Sequence, residues 1–186
     1  MTVGPVEAAI MVIDAAGGTI ANRTTIQKII YFGTVKTAVK ALYRPHYYGP
    51  YSADVAGALQ TITSCHFVDE VMDTSENKKQ NETFEWKRYS YSLNEEGKKV
   101  KEYLKEKSPK DFDEIQKIVS ICKKTARLDP NVLSWAAKVH YILRQEHRQM
   151  TYDEIIDIAE ALNWKLDKIQ IDTGVHLLQD LSLVAG

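Results

Sequence analysis

The feature that most constrains the fold is a change in hydrophobic periodicity near residue 66. Before this point, apolar residues recur three and four positions apart, which is typical of amphipathic helices. After it, HFVDEVM (66–72) and TFEWKRYSYSL (83–93) are rich in β-branched and aromatic residues and flank the polar stretch DTSENKKQNE. The pattern therefore predicts helices followed by a β-hairpin, which indicates a mainly helical α+β fold.

Three helices are predicted before the hairpin, and the first ends at the glycine pair GG. The second is TIQKIIYFGTVKTAVKAL (25–42), capped by Thr24 or Thr25 and buried along a face that includes Val35. The third begins after Ser52, because serine is a preferred N-cap residue. Its predicted buried face consists of Val55, Leu59 and Ile62.

A further amphipathic helix, EEGKKVKEYLKEK (95–107), is predicted after the hairpin, with Asn94 as its N-cap. Three helices followed by a hairpin is the order of a winged helix. We therefore predict a winged helix-turn-helix domain over residues 1–107.

Residues 108–186 are predicted to form a separate helical domain. Thr151 and Glu154 form a capping box at the start of one of its helices. Five apolar positions around the third helix recur 116 residues later. The pairs are Val55 and Ile171, Leu59 and Val175, Ile62 and Leu178, Phe67 and Leu183, and Val68 and Val184. This repeat predicts a second helix-turn-helix-like unit, and a chance similarity between two amphipathic helices is the alternative.

Composition and charge limit the partners and the compartment. The 186 residues carry a net charge of −1, which does not by itself favour nucleic acid. Residues 51–76 contain five acidic and no basic residues, whereas residues 77–110 contain ten basic and six acidic residues.

No apolar run could span a bilayer, the amino terminus lacks a basic signal-peptide region, and Cys65 and Cys122 lie outside any CxxC motif. We therefore expect a cytoplasmic protein without membrane contact.

Three segments occur in an order that carries a family resemblance. They are TTIQKIIYF (24–32), YYGPYSADVAGALQTITSCHFVDEV (47–71) and YSLNEEGKKVKEYL (91–104). Over about residues 1–105, the chain resembles the YwgA-like branch of the SocA/Panacea winged-helix families. The matching positions are Gln27, Lys28, Tyr48, Gly49, Pro50, Tyr51, Glu96 and Gly97. The resemblance implies a small helix-turn-helix-like fold without established enzymatic activity, in a group tied to toxin–antitoxin neutralisation, adaptor behaviour or regulation.

Seven residues are candidate contacts to nucleic acid. They are Lys28 on the second helix, Gln60 and Thr61 on the third, and Lys78, Lys79, Lys87 and Arg88 on the hairpin. Lys and Arg side chains can neutralise DNA phosphates. The third helix, however, presents one outward Gln and no Lys or Arg to the edges of the nucleobases. We therefore expect weak binding to double-stranded DNA, made chiefly by the hairpin as a basic wing. A solvated strand face and loop is the alternative.

The stretch RPHYYGPYS (44–52) contains more aromatic rings than a turn requires. Architecture explains its Gly-Pro pair, since glycine adopts unusual backbone angles and proline fixes φ. The candidate partner-binding residues are His46, Tyr47, Tyr48 and Tyr51. The alternative is that these rings cover a junction between helices.

No pattern indicates catalysis, a metal site or a cofactor. The acidic pairs Asp69-Glu70 and Glu95-Glu96 do not resemble a positioned acid/base couple. His140 and His147 lack metal-ligand spacing and are interpreted as packing or surface imidazoles. We expect a non-enzymatic, DNA-binding transcriptional regulator. A protein-binding adaptor or antitoxin-like module is the alternative, and homodimer formation is left open.

Overall fold

The computed structural model describes residues 2–73 and 88–184. Within these ranges the helices are α1 (Pro5–Ala15), α2 (Arg23–Lys36), α3 (Ala53–Ser64), α4 (Glu95–Lys107), α5 (Pro109–Ala126), α6 (Pro130–Glu146), α7 (Tyr152–Ala161) and α8 (Lys168–Asp180). The strands are β1 (Thr19–Ala21), β2 (Val68–Asp73) and β3 (Arg88–Leu93). The mainly helical α+β class predicted from the periodicity is confirmed.

The three strands form one antiparallel sheet in the order β1-β3-β2. Val68 pairs with Leu93 at one end of the β2–β3 ladder, and Thr19 of β1 pairs with Ser92. The two predicted hairpin strands are present as β2 and β3, but β1 was not predicted. A strand of three residues is too short to show an alternating pattern of its own.

Helix α2 is shorter than the sequence predicts, because it ends at Lys36 rather than Leu42. The backbone becomes extended at Thr37, whose hydroxyl donates to the Gly33 carbonyl at 2.7 Å and accepts from the Val39 amide at 3.1 Å. The predicted burial of Val35 is wrong, since 39% of this residue is exposed.

The predicted N-caps of α2 are also wrong. Asn22, with φ of 71°, occupies the N-cap position in place of Thr24 or Thr25. Thr25 is fully buried, and its hydroxyl donates to the Leu128 carbonyl at 3.3 Å. A tertiary contact therefore uses the side chain that would have capped the helix.

Three other helix starts follow the prediction. The Ser52 side chain accepts from the Val55 amide, and the Asn94 side chain accepts from the Gly97 amide. The capping box of Thr151 and Glu154 is present at the start of α7. The buried face predicted for α3 is confirmed as well, with Val55, Leu59 and Ile62 each at most 3% exposed.

Helix α1 lies at the centre of the core. Residues 8–13 are each at most 1% exposed, and the helix contacts α2, α3, α4 and α5. Residues 8–13 are all apolar, and a helical segment that is apolar on all sides requires such enclosure. Helices of the second half complete the core, because α5 packs against α1 and α2 while α6 packs against α2 and α8.

One cluster of buried apolar side chains extends from Val3 to Leu181. The predicted boundary between residues 107 and 108 falls where α4 meets α5. The division into two domains stays a prediction. Among the described residues, no helix is both long and apolar enough to cross a membrane.

Candidate functional site

The candidate site is built around residues 46–51, here called the aromatic turn, between α2 and α3. Arg44 and Tyr51 close this turn through two backbone hydrogen bonds of 2.9 Å. Gly49 has φ of +95°, and a Cβ atom at this position would lie 3.0 Å from Cγ of Lys138. Both the backbone angle and the close approach of α6 therefore favour glycine here.

Two consecutive side chains of α2 hold the end of the aromatic turn. Gln27 donates from Nε2 to the Ser52 carbonyl at 2.8 Å and accepts from the Ser52 amide at 3.1 Å. Lys28 donates from Nζ to the Pro50 carbonyl at 2.7 Å. Gln27, Lys28 and Ser52 are all buried, so each bond satisfies a backbone group that water does not reach.

The second half of the chain fixes the opposite side of the turn. Trp164 is 1% exposed, and its Nε1 donates to the His46 carbonyl at 2.6 Å. The rings nevertheless remain accessible, with Tyr47, Tyr48 and Tyr51 exposed by 72%, 54% and 37%. The His46 ring is also exposed and lies 5.0 Å from the Tyr51 ring between centroids. All four predicted partner-binding residues thus lie at the surface on a fixed backbone.

A groove of about 850 Å³ separates the aromatic turn from α3 and the sheet. Its walls include Arg23, Thr24, Gln27 and Lys28 of α2; His46, Tyr48 and Tyr51 of the turn; Ala53, Ala56, Gly57, Leu59 and Gln60 of α3; and Glu70 and Tyr91 of the sheet. The α3 wall is formed largely by small side chains, which leaves room for a bound group beside the helix.

A polar cluster forms the sheet end of the groove. Arg23 donates from Nε to the Tyr91 hydroxyl at 2.6 Å and from Nη2 to Glu70 Oε1 at 2.8 Å, and the Tyr91 hydroxyl also donates to Glu70. The Arg23 guanidinium stacks 3.8 Å from the Tyr89 ring centroid. Burial alone would raise the pKa of Glu70, but the hydrogen bonds from Tyr91 and Arg23 outweigh it and lower that pKa.

The position of Lys28 corrects the expectation that it would be presented on the surface. This residue is 2% exposed, because α2 faces the aromatic turn at this point. Burial, together with a smaller effect of repulsion from Lys138, lowers the pKa of the Lys28 amine to about 7. Lys28 is therefore a buried amine in the groove wall rather than a surface charge.

The other predicted nucleic-acid contacts are dispersed. Gln60 and Thr61 are exposed on α3, and Gln60 borders the groove. Arg88 is exposed at the start of β3 and borders a different depression. Lys78, Lys79 and Lys87 lie outside the described residues. A nucleic-acid role for this set stays a prediction.

The two histidines behave as packing and surface groups. His140 is buried, with Nδ1 2.9 Å from the Tyr31 hydroxyl, and burial lowers its pKa to about 4. His147 is exposed at the C-cap of α6. In residues 2–73 and 88–184, no three His, Cys, Asp or Glu side chains come together as a metal-binding group. The expectations of no cofactor and no enzymatic activity stay predictions.

Three residues of the candidate site were not predicted from the sequence. They are Arg23, which lines the groove, and Lys138 and Trp164, which contact the aromatic turn. The link between Glu70 and Tyr91 was not predicted either. Arg23 lies 47 positions from Glu70, and Trp164 lies 118 positions from His46. No local spacing connects such residues. The exposed tyrosines were found because their clustering beside a Gly-Pro turn is visible in the sequence itself.

No family model matches the chain, and a search of curated proteins likewise found no match. The resemblance to the YwgA-like branch therefore stays a prediction.

Proposed function

We propose that the chain is a non-enzymatic protein-interaction module that captures a partner protein with the aromatic turn and the adjoining groove. The observation that carries this proposal is the combination of an immobilised turn backbone with exposed tyrosine rings beside a cavity of about 850 Å³. Tyrosine is enriched among the residues that dominate binding energy at protein interfaces.

The anchoring of the turn favours binding energetically. Gln27, Lys28 and Trp164 fix its backbone before any partner arrives. A rigid segment loses little conformational entropy on association, and tyrosine brings a large contact area with few rotatable bonds. Tyr47 and Tyr48 can therefore contribute most of their contact energy to the complex.

The chemistry of α3 favours a protein over a DNA duplex. Its exposed positions include Ala53, Asp54, Gly57, Gln60 and Thr61, with no Lys or Arg between residues 53 and 64. Asp54 would face phosphate repulsion in a DNA groove. Small and uncharged side chains beside aromatic rings are instead compatible with the centre of a protein interface.

Site-specific photo-crosslinking tests the proposal. The photoreactive residue p-benzoylphenylalanine replaces Tyr48, or in a matched control Tyr103 on α4, which has the same exposed fraction of 54%. We expect position 48 to crosslink one defined protein and position 103 not to do so. The captured protein is then purified and its affinity measured against Tyr47→Ala and Tyr48→Ala. Equal crosslinking from both positions, or unchanged affinity in both variants, would contradict the proposal.

DNA binding is the second candidate, and the sheet is the observation that favours it. Helices α1, α2 and α3 occur together with an antiparallel β1-β3-β2 sheet, and this combination of elements supports a winged helix as a proposal. The predicted wing contacts are Lys78, Lys79, Lys87 and Arg88. Fluorescence anisotropy with a DNA duplex at about 50 and about 200 mM salt is the test, because phosphate contacts weaken steeply over this range. This candidate would be rejected if DNA binding did not depend on salt. It would also be rejected if binding were unchanged when Lys78, Lys79, Lys87 and Arg88 are all replaced by alanine.

A further inference from the structure

The Lys28 amine has unused binding capacity in the groove wall. A lysine ammonium carries three N–H donors. Within residues 2–73 and 88–184, the acceptor found for Nζ is the Pro50 carbonyl, and no carboxylate oxygen forms an ion pair with it at 4.0 Å or less. A buried cation is costly unless it is paired and hydrogen-bonded, and among the described residues Lys28 has a hydrogen bond but no negative partner.

A second amine adds to the positive charge that no carboxylate compensates. Lys138 of α6 is 8% exposed and lies close enough to lower the pKa of Lys28 by repulsion. Its Nζ lies 5.9 Å from the Trp164 ring centroid, a cation–π contact that supplies no negative charge. Glu70, which also lines the groove, is already bound by Arg23 and Tyr91.

We propose that the groove is a binding site for a small carboxylic acid with a flat apolar or aromatic body, whose carboxylate pairs with the Lys28 amine. The body would lie among His46, Tyr51 and Leu59, which line the same groove. The volume of the groove, about 850 Å³, lies within the range of small-molecule sites. This inference goes beyond partner capture and does not depend on it.

A carboxylate fits the site better than a phosphate group. A phosphate commonly draws on several cationic or backbone donors, as arginine forks and helix N-termini provide. Here Arg23 is held by Glu70 and Tyr91, so Lys28 is the cation in the groove wall that has no carboxylate partner among the described residues. Lys138 is not among the residues that line the groove, so Lys28 offers one amine there, which matches the single charge of a carboxylate.

Nuclear magnetic resonance titration with benzoate tests the site. Benzamide is the matched control, because it keeps the ring and loses the charge. We expect benzoate, and not benzamide, to shift the backbone amides of Thr24, Gln60 and Thr63 in a saturable manner. Lys28→Met should abolish these shifts, whereas Lys40→Met, at an exposed position, should retain them.

The pH dependence provides a readout that needs no variant at Lys28. With the Lys28 pKa at about 7, the charged fraction and hence benzoate affinity should fall about tenfold between about pH 6 and about pH 8. The other ionisable groups around the amine are Arg23, His46, Tyr48, Tyr51, Glu70 and Tyr91 in the groove wall and Lys138 on α6. Because histidine can also change charge in this range, His46→Gln serves as the control and should keep the tenfold change.

Benzoate should also raise the pKa of Lys28, measured from its ¹³Cε resonance, since an anion stabilises the ammonium form. The proposal is overturned by any of three results. These are equal affinity for benzamide and benzoate, affinity that does not vary with pH, and the absence of shifts at these amides when the folded protein is titrated to the solubility limit of benzoate. None of the three bears on partner capture, which the crosslinking experiment measures separately.

Discussion

Replacing Gly49 with alanine would test whether the aromatic turn is held in the conformation on which both proposals depend. The φ angle of +95° at this position lies in a region that residues with a Cβ atom rarely adopt. The added methyl group would also approach Cγ of Lys138 to 3.0 Å, so the lysine stem would have to move. Backbone strain of this kind costs about 1–3 kcal/mol.

Gly57→Ala supplies a control of opposite sign. Gly57 lies inside α3, and a Cβ atom there would meet nothing within 4 Å. Alanine is favoured over glycine inside helices by about 0.5–1 kcal/mol, so this variant should be more stable than the parent protein. The same chemical change is therefore expected to lower the free energy of unfolding at position 49 and to raise it at position 57.

Urea denaturation followed by circular dichroism measures both free energies. We expect the midpoint to decrease for Gly49→Ala and increase for Gly57→Ala, with similar slopes. The reasoning would be refuted if the first variant were as stable as the parent protein. It would also fail if both variants moved in the same direction, because glycine content would then matter more than position.

Three further predictions concern the buried groups. Gln27→Ala should lower the free energy of unfolding, measured in urea, by about 1–3 kcal/mol, because it leaves buried backbone groups of Ser52 unpaired. The control Gln60→Ala, at an exposed position, should change this free energy by less than about 0.5 kcal/mol. The pKa of Lys28 is about 7 in the folded protein and 10.5 in its ordinary state. Between these pH values the unfolded chain binds more protons than the folded protein. The free energy of unfolding should therefore rise with pH over this range, by up to about 1.4 kcal/mol per pH unit. Lys28→Met should remove that slope in urea denaturation at about pH 7 and about pH 9, and an unchanged slope would reject the burial of a titrating amine. For the cysteines, a disulfide reagent should modify exposed Cys65 in the native protein and reach Cys122 after denaturation, because burial raises the pKa of Cys122 to about 12.

Local chemistry explains which parts of the fold could be predicted. The N-cap at Ser52 and the buried face of α3 depend on residues within one or two helical turns, and both were predicted. The end of α2 depends on distant contacts. Val39 pairs with Val3, and the Ala38 amide donates to Asp111. Such contacts override a helical pattern that continues in the sequence.

The same distinction between local patterns and distant contacts applies to the candidate site. Exposed tyrosines beside a Gly-Pro turn are visible as a cluster, whereas the burial of Lys28 results from the approach of the turn and of α6. A lysine on a predicted helix is normally solvated, since lysine is rarely buried in folded proteins. The sequence therefore identified Lys28 as a candidate but predicted the wrong environment for it.

The contacts of the aromatic turn join the two halves of the chain into one site. Gln27 and Lys28 hold the turn from the first half, while Trp164 and Lys138 approach it from the second. The buried amine consequently owes its lowered pKa partly to α6, which lies beyond the predicted domain boundary. If either half changes its position, the turn loses anchors and the groove changes shape. Partner capture and carboxylate binding should therefore both depend on the packing of α6 against α2.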